Sequence, residues 1–149
     1  MNVTPVNVAT ITDALVQLLT DALPNVEVGR AEALNEDINH CPWIGVYRDT
    51  VRYQIKTLGF GNGMRDQLVN LVVAVQQGDP DSGEKCEDRL EELLAQVCGA
   101  ILSDATLRGT VHVITDFEVR YADYKKVGSS YMQTAAVYLT AQTTVSVSQ

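Results

Sequence analysis

The sequence predicts an α+β fold: a mostly antiparallel β-sheet with two α-helices packed on one face, plus an extended hairpin arm. Three observations lead there. Two stretches, 8–23 and 83–102, carry apolar residues at the three-four spacing of a helix stripe. Several other stretches alternate with the period of two that marks strands. Their order is helix, short strands, long strand, helix, two long strands. That lacks the alternating βα rhythm of a doubly wound parallel sheet.

The first helix rests on Val8, Ile11, Leu15, Leu18, Leu19 and Ala22. Asn7 is its expected N-cap, with Thr10 and Thr12 as later alternatives. Pro24 stops it, because a proline ring keeps the residue before it out of helical geometry. Val26-Glu27-Val28-Gly29 reads as a short strand ended by glycine. Residues 30–42 are polar without a clear period and read as a loop, with a turn of helix at Ala31–Leu34.

Residues 43–48, rich in aromatic and β-branched side chains, read as a strand. Residues 51–56 alternate strictly and suggest an exposed hairpin arm with its tip at Gly59–Gly63. The strand at 64–77 is apolar on both faces in its middle. Leu68, Val72 and Ala74 share one face, and Val69, Leu71, Val73 and Val75 the other. Such a strand belongs in the centre of a sheet.

Asp81 or Ser82 caps the second helix. Its stripe is Cys86, Leu90, Leu93, Leu94, Val97, Cys98, Ile101 and Leu102, and Glu84, Glu87, Asp88, Glu91 and Glu92 occupy mostly the solvent side. Residues 111–121 and 131–147 read as two long strands. Val111, Val113, Phe117, Val119 and Tyr121 share a face of the first; Val137, Leu139, Ala141, Val145 and Val147 share one of the second. Residues 122–130 connect them, and Thr143–Gln149 suits a sheet edge, a neighbour's included.

At 149 residues the chain has the size of one domain, taken as 1–149 with the arm at about 48–63. Eleven Lys and Arg against nineteen Asp and Glu give a net charge of −8, which disfavours nucleic-acid binding as the main task. No apolar run is long enough to span a membrane, and Met1–Pro5 lacks the pattern of a signal peptide. Cys41, Cys86 and Cys98 are odd in number and without CxxC spacing, which suggests reduced thiols. Cys86 and Cys98 lie about 18 Å apart if their segment is helical, too far to pair.

No catalytic or cofactor-binding constellation emerges. His40 and His112 are the two histidines, and His40-Cys41 are adjacent, which seldom lets both reach one metal. Cys86 and Cys98 share the apolar stripe and read as small core residues. The acidic pairs of the second helix read as a solvated face, and the Gly59–Gly63 run leads into a strand, so it lacks the helix dipole of a phosphate loop. One feature is sharper. Arg48, Arg52, Tyr53, Lys56, Phe60 and Arg65 gather in the arm, a composition typical of interfaces. Glu84, Glu87, Asp88 and Glu91 supply an acidic surface that a neighbouring subunit's arm would meet.

In this order of elements the chain resembles the tail-terminator family of tailed bacteriophages. The resemblance is carried by Ile11–Leu19 followed through Pro24 by Val26–Gly29, by Pro42–Tyr47, by Arg65–Val75, and by the closing Tyr131–Thr140. It covers nearly the whole chain in element order and rests on no single motif. It implies a non-enzymatic virion protein without cofactor or metal, assembled in the host cytoplasm and located in the tail or neck. Its partners would be copies of itself in a hexameric ring, the tail-tube protein and the head–tail connector. DNA would pass through the lumen without sequence-specific binding. Another neck or tail-tube protein is the nearest alternative. A small acidic enzyme or ligand-binding domain is the alternative from a different class.

Overall fold

The computed structural model describes residues 5–55, 64–122 and 125–146. In chain order they form α1 (Val8–Ala22), β1 (Glu27–Arg30), a 3₁₀ turn (Ile38–His40), β2 (Trp43–Ile55), β3 (Met64–Asp79), α2 (Gly83–Ser103), β4 (Val113–Tyr121), β5 (Lys125–Val127) and β6 (Ser130–Ser146). The strands make one sheet in the order β1-β2-β3-β6-β4, with β5 also paired to β6. Only the β1–β2 pair is parallel; the other pairs are antiparallel. The expected α+β architecture is present, with two α-helices among the described residues.

Both helices start where their caps place them. Asn7 Oδ1 accepts from Ala9 N–H at 2.8 Å, and Ser82 Oγ accepts from Lys85 N–H at 3.3 Å. α1 packs over β1 and β2, and α2 over β3 and β6. Between helices and sheet lie Ile11, Leu15 and Leu19 of α1, Leu90, Leu94, Val97 and Ile101 of α2, and Val69, Leu71, Val73 and Val75 of β3. Burying one such side chain is worth about 1.5–3 kcal/mol. β3 lies between β2 and β6, so its apolar run has a partner strand on either side. Gln67, fully buried, holds the N-terminal segment: its side chain exchanges two 2.9 Å hydrogen bonds with the backbone of Val6 and accepts from Thr143 at 3.1 Å.

Several local expectations are corrected. The stretch 43–48 and the described part of 51–56, to Ile55, are one strand, β2, continuous through a bulge between Arg48 and Thr50. β1 runs one residue past Gly29, to Arg30. The loop after it carries its helical turn at Ile38–His40 and not at Ala31–Leu34; Asp37 caps it through Asn39 N–H. Leu102 is 61% exposed, because the helix stripe has rotated past the sheet at that point. The 122–130 connection contains β5, which extends the sheet beside β6.

β4 holds the most informative difference. A bulge between Ile114 and Asp116 adds one residue, so the parity of inward and outward side chains changes there. Ile114, Phe117 and Val119 pack on the core, whereas Val113 is 42% exposed on the other face. Tyr121 does share the face of Phe117 and Val119, yet it is exposed at the sheet's edge. The ends of the arm, 56–63, and Val147 lie outside the described residues.

Candidate subunit interface

The strand order sets two flanks. β2 has thirteen residues, of which Trp43–Val46 pair with β1; the remainder, Tyr47–Ile55, has no described strand on its outer side. At the opposite side of the sheet, β4 is the last strand of the path.

The β2 flank carries Arg48, Arg52 and Tyr53, all exposed, Tyr53 at 55%. Pairing register places them on both faces. Arg52 lies opposite Leu68 on the face away from the helices, while Tyr53 lies opposite Gln67 on the helix side. Arg48 lines a recess on the helix side with Thr12, Arg30 and Glu32. Arg30 itself is engaged within the chain, 2.6 Å from Asp13 and donating to Ala9 C=O at 2.9 Å. Arg65 belongs to the interior strand β3, opposite Ile55, and so is not part of the outer edge of β2. Lys56 and Phe60 lie outside the described residues.

The opposite flank is acidic. Glu84, Glu87, Asp88 and Glu91 are exposed and form one stripe of α2, since positions three, four and seven apart share a helix face. That stripe turns toward β4. Glu91 and Glu87 both lie near the Tyr121 hydroxyl, and the Glu91 carboxylate in particular pushes the Tyr121 pKa above that of an ordinary phenol. β4 adds Asp116 and Glu118, both exposed. Residues of the other sign are present on both flanks: Asp49 in the β2 bulge, and Arg120 on β4 with the exposed Lys85 and Arg89 of α2, the latter 3.5 Å from Asp79. Arg120 is tied to Glu118 at 3.2 Å and stacks over the Tyr138 ring at 4.2 Å. The Glu118 bond raises its pKa further.

Thus Arg48, Arg52 and Tyr53 stand together on one flank, and the four acidic residues of α2 stand on the other. Sequence reading missed Asp116, Glu118 and Tyr121 as members of the acidic flank. The alternation Asp116-Phe117-Glu118-Val119-Arg120 signals a strand with one polar face, but not an edge position.

The remaining candidates are placed as follows. His112 is exposed beside β4, where its backbone N–H donates to Gln142 C=O at 2.9 Å. His40 is exposed between Glu27 and Asp37, at 3.6 and 3.5 Å. Cys86 is buried, and its thiol donates to Gln77 C=O at 3.3 Å; Cys98 is half-buried beside the core. Burial raises the pKa of Cys41, Cys86 and Cys98, Cys41 to about 11. None of the three therefore has the lowered pKa of an activated thiol.

The sheet face away from the helices carries a groove of about 520 Å³, lined by Asp49, Asn70, Asp116, Glu118, Arg120 and Tyr138 among others. Across its floor Thr50, Asn70, Thr140 and Asp116 lie in one register row over four strands. No described helix is long and apolar enough to cross a membrane. No protein-family model matches the chain, and no curated protein matches it.

Proposed function

We propose that the chain is a structural protein of a tailed phage, a terminator at the head–tail junction. Copies would join head to tail into a closed ring, taken as hexameric. The ring would cap the tail tube, stop its growth and dock to the head connector. The chain would then work by fitting against its own copies and neighbouring virion proteins, without catalysis and without a cofactor.

The supporting observation is the pair of flanks. A closed ring needs a heterologous contact, in which two different surfaces of one chain meet on neighbouring copies. Here the surfaces with Arg48, Arg52 and Tyr53, and with Glu87, Glu91 and Asp116, lie on opposite sides of one sheet. Opposite charge on such surfaces fixes partner orientation and speeds encounter more than it adds affinity. The net charge of −8 also suits a passage for DNA, which negative walls repel.

The test is electron microscopy of the purified protein, alone and with tail tubes of the phage that encodes it. Rings seated on tube ends, with tube elongation arrested, are expected. Long cylinders formed by the protein alone would assign it to the tube instead. Tubes that elongate unchanged in its presence, with bare ends, would overturn the terminator reading.

A further inference from the structure

We infer that neighbouring copies join their sheets, the outer edge of β4 in one pairing antiparallel with the Thr50–Gln54 run of β2 in the next. This rests on the head-to-tail association proposed above and names the backbone that makes it.

Strand direction comes first. β2, β3, β6 and β4 are successively antiparallel, so β4 runs opposite to β2. A second copy turned about an axis along the strands therefore sets its β2 antiparallel to the first copy's β4, with the helices of both on the same side. Edge strands present a row of backbone donors and acceptors, and added strands recognise them through main-chain hydrogen bonds.

Side-chain parity then limits the register. Residues directly opposite in an antiparallel pair share a face. Within each chain Arg52 shares the helix-free face with Asp116, Glu118 and Arg120, while Val51 and Tyr53 share the helix side with Phe117 and Val119. The bulges at Asp49 and Thr115 leave Thr50–Ile55 and Asp116–Tyr121 as the regular runs. Two registers pair five residues of each run without meeting a bulge. One sets Arg52 against Arg120, which repels. The other sets Arg52 against Glu118, Gln54 against Asp116 and Thr50 against Arg120. Charge selects the second.

In that register Val51 meets Val119 and Tyr53 meets Phe117 on the helix side. Val51, Val119 and Phe117 are half-buried against the core, and Tyr53 is 55% exposed. The junction would cover Tyr53 and continue the apolar layer from one copy into the next.

The test combines hydrogen exchange with a charge swap on the full-length protein. In the associated state the amides of 50–54 and 116–120 are expected to gain protection relative to dilute monomer, while exposed amides of the 104–110 turn do not. Arg52→Glu is expected to weaken self-association at least about tenfold, since facing like charges costs more than losing an exposed pair. Glu118→Arg should weaken it similarly, and an equimolar mixture of the two variants should restore association, since both junctions of an alternating assembly then face opposite charges. The double variant R52E/E118R should restore association at every junction. A chain that stays monomeric at the highest concentration reached overturns the inference. So does an oligomer whose 50–54 and 116–120 amides exchange as in the monomer, or one indifferent to the swap. In the last two cases the terminator reading survives if tube ends are still capped. Protected edges with uncapped tubes would sink that reading and leave this one standing.

Discussion

Thr140 donates its hydroxyl hydrogen bond to Asn70 Oδ1 at 2.6 Å, and Asn70 Nδ2 in turn donates to Thr50 Oγ1 at 2.6 Å. Three adjacent strands are thereby linked through side chains as well as backbone. Half-buried polar groups in such a chain are costly to leave without partners. Thr140→Val removes the donor and keeps the shape, so it is expected to cost about 1 kcal/mol. Urea denaturation of both proteins checks this; an unchanged midpoint would mean that water replaces the bond without loss.

Gly45 admits no side chain. A Cβ there would lie 2.3 Å from the Trp43 ring and 2.8 Å from Ala31 Cβ. The loop after β1 crosses the sheet here and must approach its backbone closely. Gly45→Ala is expected to destabilise by about 1–3 kcal/mol through overpacking. Thermal unfolding with Trp43 fluorescence as probe would register it, and an unaltered Tm would show that the indole turns aside freely.

Acid should weaken the fold through carboxylates held below their usual pKa. Asp79 accepts from Asp81 N–H at 2.9 Å and Ser82 N–H at 3.0 Å, and lies 3.5 Å from Arg89. The Asp81 bond is the main cause of its lowered pKa. Arg108 lowers Asp21, and the Thr106 hydroxyl lowers Asp104. A lowered folded pKa means that the unfolded chain takes up protons first. Stability is therefore complete above about pH 5 and falls as pH drops through 4 toward the folded values. Asp79→Asn should flatten part of that fall in Tm; an identical acid slope would remove Asp79 from the account.

The thiols should be slow to react. Burial, with smaller contributions from Cys86 and Asp37, pushes Cys41 up to about 11, so little thiolate exists at neutral pH. Alkylation followed by mass spectrometry is expected to label Cys41 and Cys86 far more slowly in native than in unfolded protein. Fast native labelling of Cys86 would contradict its burial on the face of α2 that packs against the sheet. Cys86→Ala, a small core truncation, is expected to cost no more than about 2 kcal/mol.

Contacts between oppositely charged flanks should weaken with salt. The screening length falls from about 10 Å at 0.1 M to about 3 Å at 1 M. Sedimentation velocity across that range is expected to show progressive dissociation, most strongly at the encounter step. Association that strengthens steadily with salt would point to an apolar contact elsewhere, such as one through Leu102.

Helices, caps and sheet class were legible in the sequence because their causes are local. Asn7 and Ser82 act on amides two or three residues away, and a helix stripe repeats within its own turns. The two-sided apolar run of β3 marked its central place for a similar reason. Tertiary structure alone decided which residues share a flank. The bulge at Thr115 exposes Val113, the bulge at Asp49 joins two stretches into one strand, and the register of β6 aligns Thr140 with Asn70. A strand's partner comes from far along the chain, and one added residue turns every later side chain over, so no local pattern specifies these faces. The separation of Arg52 from Glu91 across the sheet follows from strand order in the same way.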